Sequence, residues 1–146
     1  MSAPVVSAEL ERELRSIAVR YAGAADRRDA ATFAELFTED GAVLVRFAAR
    51  PQPVEIRGRT AVSGIATSLR RYERTFHVLG QSSYTVEDGA NSAAGETYCV
   101  AHHVLDGEDR VMYIRYLDTY RRTEAGWQIV QREANVDFQS VLPVLG

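Results

Sequence analysis

Four polar side chains occur where a solvated surface would not need them. Tyr21 and Asp26 come at the end of an amphipathic N-terminal segment. His77 opens a strand-like run, and Arg132 lies inside the last apolar run of the chain. An acid, an imidazole and a guanidinium that meet in one place can move a proton to or from a ligand. These residue types therefore predict a small, metal-free enzyme.

Asp26 and His77 are the centre of this prediction. Asp26 follows Tyr21-Ala-Gly-Ala-Ala, whose small side chains leave room beside the carboxylate. If Asp26 reaches one ring nitrogen of His77, it fixes the tautomer, and the other nitrogen is free to accept a proton. Two alternatives remain open. Asp26 can pair with Arg27 or Arg28 at the surface, and His77 can be a core histidine with its hydrogen bonds satisfied.

Arg132 is the third candidate because strand alternation places it on a mostly apolar face. That face also carries Gln128, Val130, Ala134 and Val136. An inward guanidinium is costly to bury without an anionic partner, so an anion is expected beside it. An ion pair at the surface is the alternative.

Two further strands offer residues that could contact a substrate. Tyr116, Asp118 and Tyr120 share one face, and an acid among tyrosines makes Tyr116 and Asp118 candidates, with sheet packing as the alternative. His102 and His103 are adjacent, so a strand sends them to opposite faces. His103 shares its face with small residues and is predicted to point into a pocket.

Metal binding is not expected from this sequence. The three histidines have no spacing that fits a helical pair of zinc ligands. Cys99 is the only cysteine, which excludes disulfides and cysteine-based zinc sites, and it is interpreted as a small core residue. The prediction is therefore chemistry without a metal.

The elements that must position these residues are three helices followed by long strands. Ser7 is a good N-cap for an amphipathic helix of five to six turns, and Asp29 can cap a second, short helix. A third helix is predicted over about 61–72. Strands are predicted at 42–47, 76–86, 93–105, 110–122 and 127–138, with turns at Asp88-Gly89, Asp106-Gly107 and Ala125-Gly126. The two prolines in 48–53 indicate a loop or an irregular edge.

This order of elements predicts one α+β domain over residues 1–146. Its N-terminal helices would pack on a curved mixed or antiparallel sheet, forming a cone-shaped barrel around a pocket. The net charge of −3 gives no footprint for nucleic acid. No apolar stretch approaches a membrane span, and no signal pattern begins the chain, so a cytoplasmic location is expected.

Taken together, these motifs resemble the SnoaL-like family of the nuclear transport factor 2-like superfamily. The resemblance covers about residues 8 to 138 and is nearest the branch with scytalone dehydratase, hexachlorocyclohexane dehydrochlorinase and the bile-acid dehydratase. The segments that carry it are Tyr21-Ala-Gly-Ala-Ala-Asp26-Arg-Arg-Asp29, Phe37-Thr-Glu-Asp-Gly-Ala, Gly58-Arg-Thr-Ala-Val, Thr75-Phe-His77, Arg115-Tyr-Leu-Asp-Thr-Tyr-Arg-Arg and Gly126-Trp-Gln-Ile-Val-Gln-Arg132.

The resemblance implies a catalytic aspartate–histidine dyad at Asp26 and His77, with no cofactor. It also implies a polar catalytic or binding residue at Tyr21, a cavity arginine at Arg132 and a second histidine at His103. Scytalone dehydratase has a tyrosine directly before the dyad aspartate, where this chain has an alanine, so its full mechanism does not carry over. Sheet faces in this superfamily commonly support dimers or trimers.

The sequence therefore predicts a cofactor-independent lyase of the dehydratase type that acts on a small, apolar, cyclic compound. An isomerase or a cyclase that uses the same pocket remains open. So does a non-catalytic module that binds a small hydrophobic ligand or assembles with other chains. The apolar tail 141–145 could pack on a neighbouring subunit or cover the pocket.

Overall fold

The computed structural model describes residues 5–87 and 91–146, so the predicted turn at Asp88-Gly89 lies outside the described residues. In this part of the chain two helices come first, two strands precede the third helix, and four long strands follow. The helices are α1 (Ala8–Arg27), α2 (Ala30–Glu35) and α3 (Arg59–Ser68), which continues into a single 3₁₀ turn (Leu69–Arg71). The strands are β1 (Phe37–Phe47), β2 (Val54–Arg57), β3 (Arg74–Glu87), β4 (Ser92–Leu105), β5 (Glu108–Thr123) and β6 (Gly126–Pro143).

Local capping sets the ends of α1 and the start of α2. The Ser7 hydroxyl accepts a hydrogen bond from the backbone N–H of Leu10 at 3.1 Å, which confirms the predicted N-cap. At the other end Arg28 adopts a left-handed conformation with φ 57°, and its N–H bonds back to carbonyls of the last turn. The Asp29 carboxylate then caps α2 through the N–H of Thr32 at 3.1 Å. Helix α1 therefore ends abruptly just after Asp26.

One curved, unclosed sheet has the strand order β2-β1-β6-β5-β4-β3. Neighbouring strands are antiparallel except β1 and β6, which are parallel, so the sheet is mixed, one of the two arrangements expected from the sequence. Strand β1 begins at Phe37, five residues before the predicted start, because a register shift between Phe37 and Ala42 absorbs the turn-like Glu39-Asp40-Gly41. The short edge strand β2 follows the proline-containing loop and was not predicted.

A bulge in β6 changes which residues face inward. Thr119 pairs with Gln131 and Tyr120 pairs with Ile129, so Val130 is an extra residue on β6. Simple alternation, which put Val130 on the face of Arg132, is therefore wrong at this point. Ile129 is fully buried in its place, while Arg132 keeps the predicted inward direction.

The β4–β5 turn and the C-terminal strand both follow from local pairing with β5. Asp106 and Gly107 have φ values of 53° and 76°, as in the two-residue turn predicted between β4 and β5. The tail does not cover the pocket over 141–143, where it continues β6 and pairs with β5.

Helices α1 to α3 pack on the concave side of the sheet and leave a cavity between the two layers. None of the described helices combines the length and the apolar character needed to cross a lipid bilayer.

Candidate active site

The cavity between the helices and the concave face of the sheet has a volume of ≈ 350 Å³. Its wall is mostly aliphatic and aromatic, with contributions from α1, α2, α3 and most strands of the sheet. The polar side chains of the wall are Tyr21, Ser68, Arg71, Tyr72, His77, His103 and Tyr116. A volume of this size suits a small ligand of one or two rings.

Asp26 and His77 meet at the edge of this cavity. His77 Nδ1 lies 2.7 Å from Asp26 Oδ1, and the backbone N–H of His77 donates to Asp26 Oδ2 at 2.9 Å. The carboxylate only accepts, so Nδ1 carries the hydrogen and Nε2 keeps its lone pair on the side away from Asp26. The His77 side chain is 8% exposed and lines the cavity, whereas Asp26 lies behind it.

A second layer of hydrogen bonds holds the carboxylate of Asp26. The Thr75 hydroxyl donates to Asp26 Oδ1 at 2.9 Å and accepts from Arg28 Nη1 at 2.6 Å. The same Nη1 donates to the backbone carbonyl of Asp26 at 2.8 Å. Burial raises the pKa of Asp26, but the hydrogen bonds from His77 and Thr75 outweigh burial and hold this pKa below its ordinary value. Asp26 therefore stays ionised beside the imidazole.

His103 also lines the cavity, on the side predicted from the sequence. Its ring centroid lies 6.0 Å from that of His77, and its Nδ1 donates to the Arg110 carbonyl at 3.0 Å. Burial is the main cause that lowers the pKa of His103 below its ordinary value; the hydrogen bond to the Arg110 carbonyl opposes it, and the positive charge of Arg71 acts in the same direction as burial. His103 is therefore neutral near pH 7, and its Nε2 can accept a hydrogen bond but cannot donate one.

The sheet carries a second aspartate–histidine pair outside the cavity. His102 Nδ1 lies 2.6 Å from Asp109 Oδ2, and the N–H of His103 donates to Asp109 Oδ1 at 3.0 Å. This repeats the pattern of Asp26 with His77, but strand alternation directs His102 away from the cavity. The described residues thus contain two aspartate–histidine pairs of similar geometry, and only the pair of His77 lies at the cavity.

Tyr21 and Tyr116 form the deep wall of the cavity. Their ring centroids are 5.6 Å apart, and both residues are buried. Burial raises the pKa of Tyr21 to about 12 and raises the pKa of Tyr116 as well. Both phenols therefore remain protonated at neutral pH.

Arg132 and Asp118 lie behind this tyrosine wall rather than in it. Arg132 is fully buried, and its Nε and Nη2 donate to the two oxygens of Asp118 at 2.8 Å each. The guanidinium carbon lies 4.2 Å from the ring centroid of Tyr21 and 4.0 Å from that of Tyr116. The hydroxyl of Tyr120 donates to Asp118 at 2.8 Å. The expected anionic partner of Arg132 is therefore Asp118, and neither side chain belongs to the cavity lining.

Sequence reasoning missed several residues of the site. Thr75 and Arg28 complete the support of Asp26, and Tyr72 and Arg71 form part of the cavity wall. Thr75 precedes His77 by two residues on a strand, so it shares the inward face, and this spacing could have indicated it. Arg28 needed knowledge of the left-handed helix end, which no residue pattern gave. Within residues 5–87 and 91–146, no three or more His, Cys, Asp and Glu side chains form a group that could hold a metal ion.

The helices pack on one curved sheet and enclose a cavity lined by two histidines. This arrangement defines the class of cone-shaped α+β proteins. The family model of the SnoaL-like domain matches residues 6–133, and the chain belongs to this family, within the nuclear transport factor 2-like superfamily. No curated protein matches the sequence.

Solved structures share this fold at low sequence identity. A candidate aromatic ring hydroxylase from Novosphingobium aromaticivorans has a TM-score of 0.80 and 21% identity, with 97% of each chain covered. A candidate scytalone dehydratase from the same organism has a TM-score of 0.77 and 19% identity, covering 93% of this chain and 89% of the other. A type 2 hexachlorocyclohexane dehydrochlorinase has a TM-score of 0.76 and 12% identity, covering 92% and 90%. Two of the enzymes named by the resemblance thus occur among the fold relatives.

Proposed function

We propose that the protein is a cofactor-independent lyase of the dehydratase type that acts on a small, largely apolar, cyclic compound. The observation that carries this proposal is the 2.7 Å contact of His77 with Asp26 beside a cavity of ≈ 350 Å³. Membership of the SnoaL-like domain family and the fold relatives named as a scytalone dehydratase and a dehydrochlorinase are consistent with this class of reaction.

In this mechanism His77 is the general base and Asp26 is its positioning residue. His77 Nε2 takes a proton from a carbon next to an activating carbonyl, and Asp26 stabilises the imidazolium that forms. The electron pair of the C–H bond becomes the new C=C bond as the hydroxyl on the adjacent carbon leaves. The imidazolium returns its proton to this leaving group, so one water is released and the enzyme regains its starting state. A positioned base contributes ~10²–10⁴-fold to the rate.

Tyr21 and Tyr116 would stabilise the negative charge that develops on the carbonyl oxygen. Both are protonated at neutral pH, and the positive charge of Arg132, offset in part by Asp118, lies against their rings. A preorganised donor of this kind adds ~10²–10³-fold. The neutral His103 would accept a hydrogen bond from a substrate hydroxyl. In this arrangement Arg132 and Asp118 act through the tyrosines without touching the substrate.

An isomerase or a cyclase is the alternative within the same pocket, because His77 could return the proton to another substrate carbon. A panel of small hydroxylated ketones and polyketide-like compounds, analysed by mass, separates the cases. Loss of the mass of one water means dehydration, whereas an unchanged mass means isomerisation or cyclisation.

Matched variants test the role of the pair itself. We expect His77→Gln and Asp26→Asn to lower turnover by ~10²–10⁴-fold, because either change removes the oriented base. His102→Gln is the control, since it breaks the same geometry outside the cavity, and it should keep wild-type turnover. Full turnover by His77→Gln would contradict the mechanism and would leave a binding or assembly module as the remaining hypothesis.

We also propose that the protein forms a homodimer or a homotrimer in the cytoplasm. Support comes from the outer face of the sheet, where Phe76 is 67% exposed and Phe138 is 61% exposed. Exposed aromatic side chains on one face favour contact with another protein surface. Sedimentation velocity tests this proposal, and a monomer at all concentrations would contradict it.

A further inference from the structure

Arg71 places a permanent positive charge at an otherwise uncharged cavity wall. Among the described residues that line the cavity, it is the only lysine, arginine, aspartate or glutamate. It ends the 3₁₀ turn Leu69–Arg71, and its side chain is exposed, so the charge lies where the cavity opens to solvent. The role of Arg71 is not explained by proton abstraction at His77.

Contacts with Tyr72 hold Arg71 near His103. The Arg71 guanidinium carbon lies 4.9 Å from the ring centroid of Tyr72, and Nη2 donates to the Tyr72 hydroxyl at 3.3 Å. The Tyr72 ring is in turn 4.9 Å from the ring of His103. A guanidinium that stacks on an aromatic ring is held in a defined position, so it is placed in advance to meet an anion at the cavity opening.

No carboxylate neutralises this charge in the part of the chain that the structure describes. None of the ion pairs found there includes Arg71. The nearby Glu73 accepts a hydrogen bond from the N–H of Asp106, and Asp26 is used by His77 and Thr75. Arg70 and Arg74 line a surface groove that meets the cavity at Tyr72. A chain with a net charge of −3 thus keeps an excess of positive charge at this opening.

We propose that Arg71 binds an anionic substituent of the substrate, such as a carboxylate, while the apolar body of the substrate fills the cavity. The proposal rests on the proposed function in one respect, namely that this cavity is the ligand site. It narrows the substrate class from apolar compounds in general to apolar ring compounds with one acidic group. The planar guanidinium fork matches the geometry of a carboxylate or a sulfonate.

Two fluorescent probes with the same ring system test this inference without knowledge of the substrate. Anilinonaphthalene sulfonate carries one negative charge, and phenylnaphthylamine is its neutral counterpart. We expect the wild-type protein to bind the sulfonate about tenfold more tightly, as one charge-assisted contact predicts. Arg71→Gln should remove this preference and leave the affinity for the neutral probe unchanged. Arg122→Gln is the matched control, because Arg122 also stacks on a ring, that of Trp127 at 5.3 Å, but lies outside the cavity wall.

Each other outcome contradicts a defined part of the account. Equal affinity for the two probes in the wild type, or a preference that survives Arg71→Gln, overturns the role of Arg71. A preference that is lost in Arg74→Gln but kept in Arg71→Gln assigns the anion to the groove and also overturns it. Binding of neither probe contradicts the cavity as a ligand site and therefore the proposed function too. If His77→Gln kept full turnover, the proposed mechanism would fail, but the probe preference expected from Arg71 would remain.

Discussion

At the scale of single residues, the hydrogen bonds of the two cavity histidines determine which ring nitrogen of each can meet a ligand. Asp26 uses both oxygens on His77 and Thr75, so the imidazole is held in one tautomer with Nε2 available. His103 Nδ1 donates its hydrogen to the Arg110 carbonyl, so His103 Nε2 is left as a hydrogen-bond acceptor. The two cavity histidines therefore have different abilities, although their rings are only 6.0 Å apart.

Thr75→Val tests the support of the dyad. The substitution keeps the shape of the side chain but removes the hydroxyl that donates to Asp26 and accepts from Arg28. We expect the pKa of Asp26 to rise and the free energy of unfolding at neutral pH to fall by about 1 kcal/mol. Carbon-detected NMR titration of the Asp26 carboxyl and urea denaturation measure the two effects. Thr75→Ser keeps the hydroxyl and should behave as the wild type; an Asp26 pKa that does not move in Thr75→Val would show that the hydroxyl is irrelevant.

At the scale of elements, a buried ion pair ties β5 to β6 behind the cavity. Asp118 and Arg132 are cross-strand partners, and the rings of Tyr21 and Tyr116 cover the guanidinium. Burial alone would lower the pKa of Arg132, but Asp118 outweighs it and raises this pKa above its ordinary value. Arg132 thus remains charged, and the pair connects α1, through Tyr21, to the centre of the sheet.

Breaking this pair from one side should be more harmful than removing it. We expect Arg132→Met to lower the free energy of unfolding by about 3–5 kcal/mol, because it leaves the buried charge of Asp118 without a partner. The double variant Arg132→Met with Asp118→Leu should recover a large part of this loss. Chemical denaturation of the wild type, both single variants and the double variant gives the coupling energy. Additive losses in the double variant would contradict the ion-pair account.

The element scale also shows what the sequence could and could not predict. The Asp106-Gly107 turn and the Ser7 cap depend on local residue chemistry, and both predictions are confirmed. The inward direction of Arg132 was predicted, but its partner Asp118 was found only with the register of β5 on β6. Similarly, the bulge at Val130 and the parallel pairing of β1 with β6 depend on long-range contacts that no local pattern encodes.

At the scale of the whole molecule, the candidate site lies where the layer of helices meets the concave face of the sheet. Resemblance and patterning predicted the cone-shaped α+β architecture, and the family match confirms it. The functional roles of Asp26, His77 and the cavity tyrosines stay predictions, because a family that shares a fold can differ in reaction. Position relative to the cavity distinguishes the pair of His77 from the similar pair of His102.

The pH dependence of stability should report the buried histidine. The pKa of His103 in the folded protein is lowered from its ordinary value of 6.5, mainly by burial. Below the ordinary value, the unfolded chain therefore binds a proton that the folded protein does not, and stability falls as the pH falls. We expect His103→Gln to reduce the loss of stability between roughly pH 7 and 5. Urea denaturation across this range measures it, and identical pH profiles for the variant and the wild type would contradict the assignment.

The most direct test of the central claim is the tautomer of His77, measured by long-range nitrogen–proton NMR of the imidazole at neutral pH. We predict a hydrogen on Nδ1 and a lone pair on Nε2 in the wild type, loss of this preference in Asp26→Leu, and a changed Nε2 signal when phenylnaphthylamine enters the cavity. A hydrogen on Nε2 in the wild type, or an Nε2 signal that ignores the bound probe, would contradict an oriented base facing the ligand.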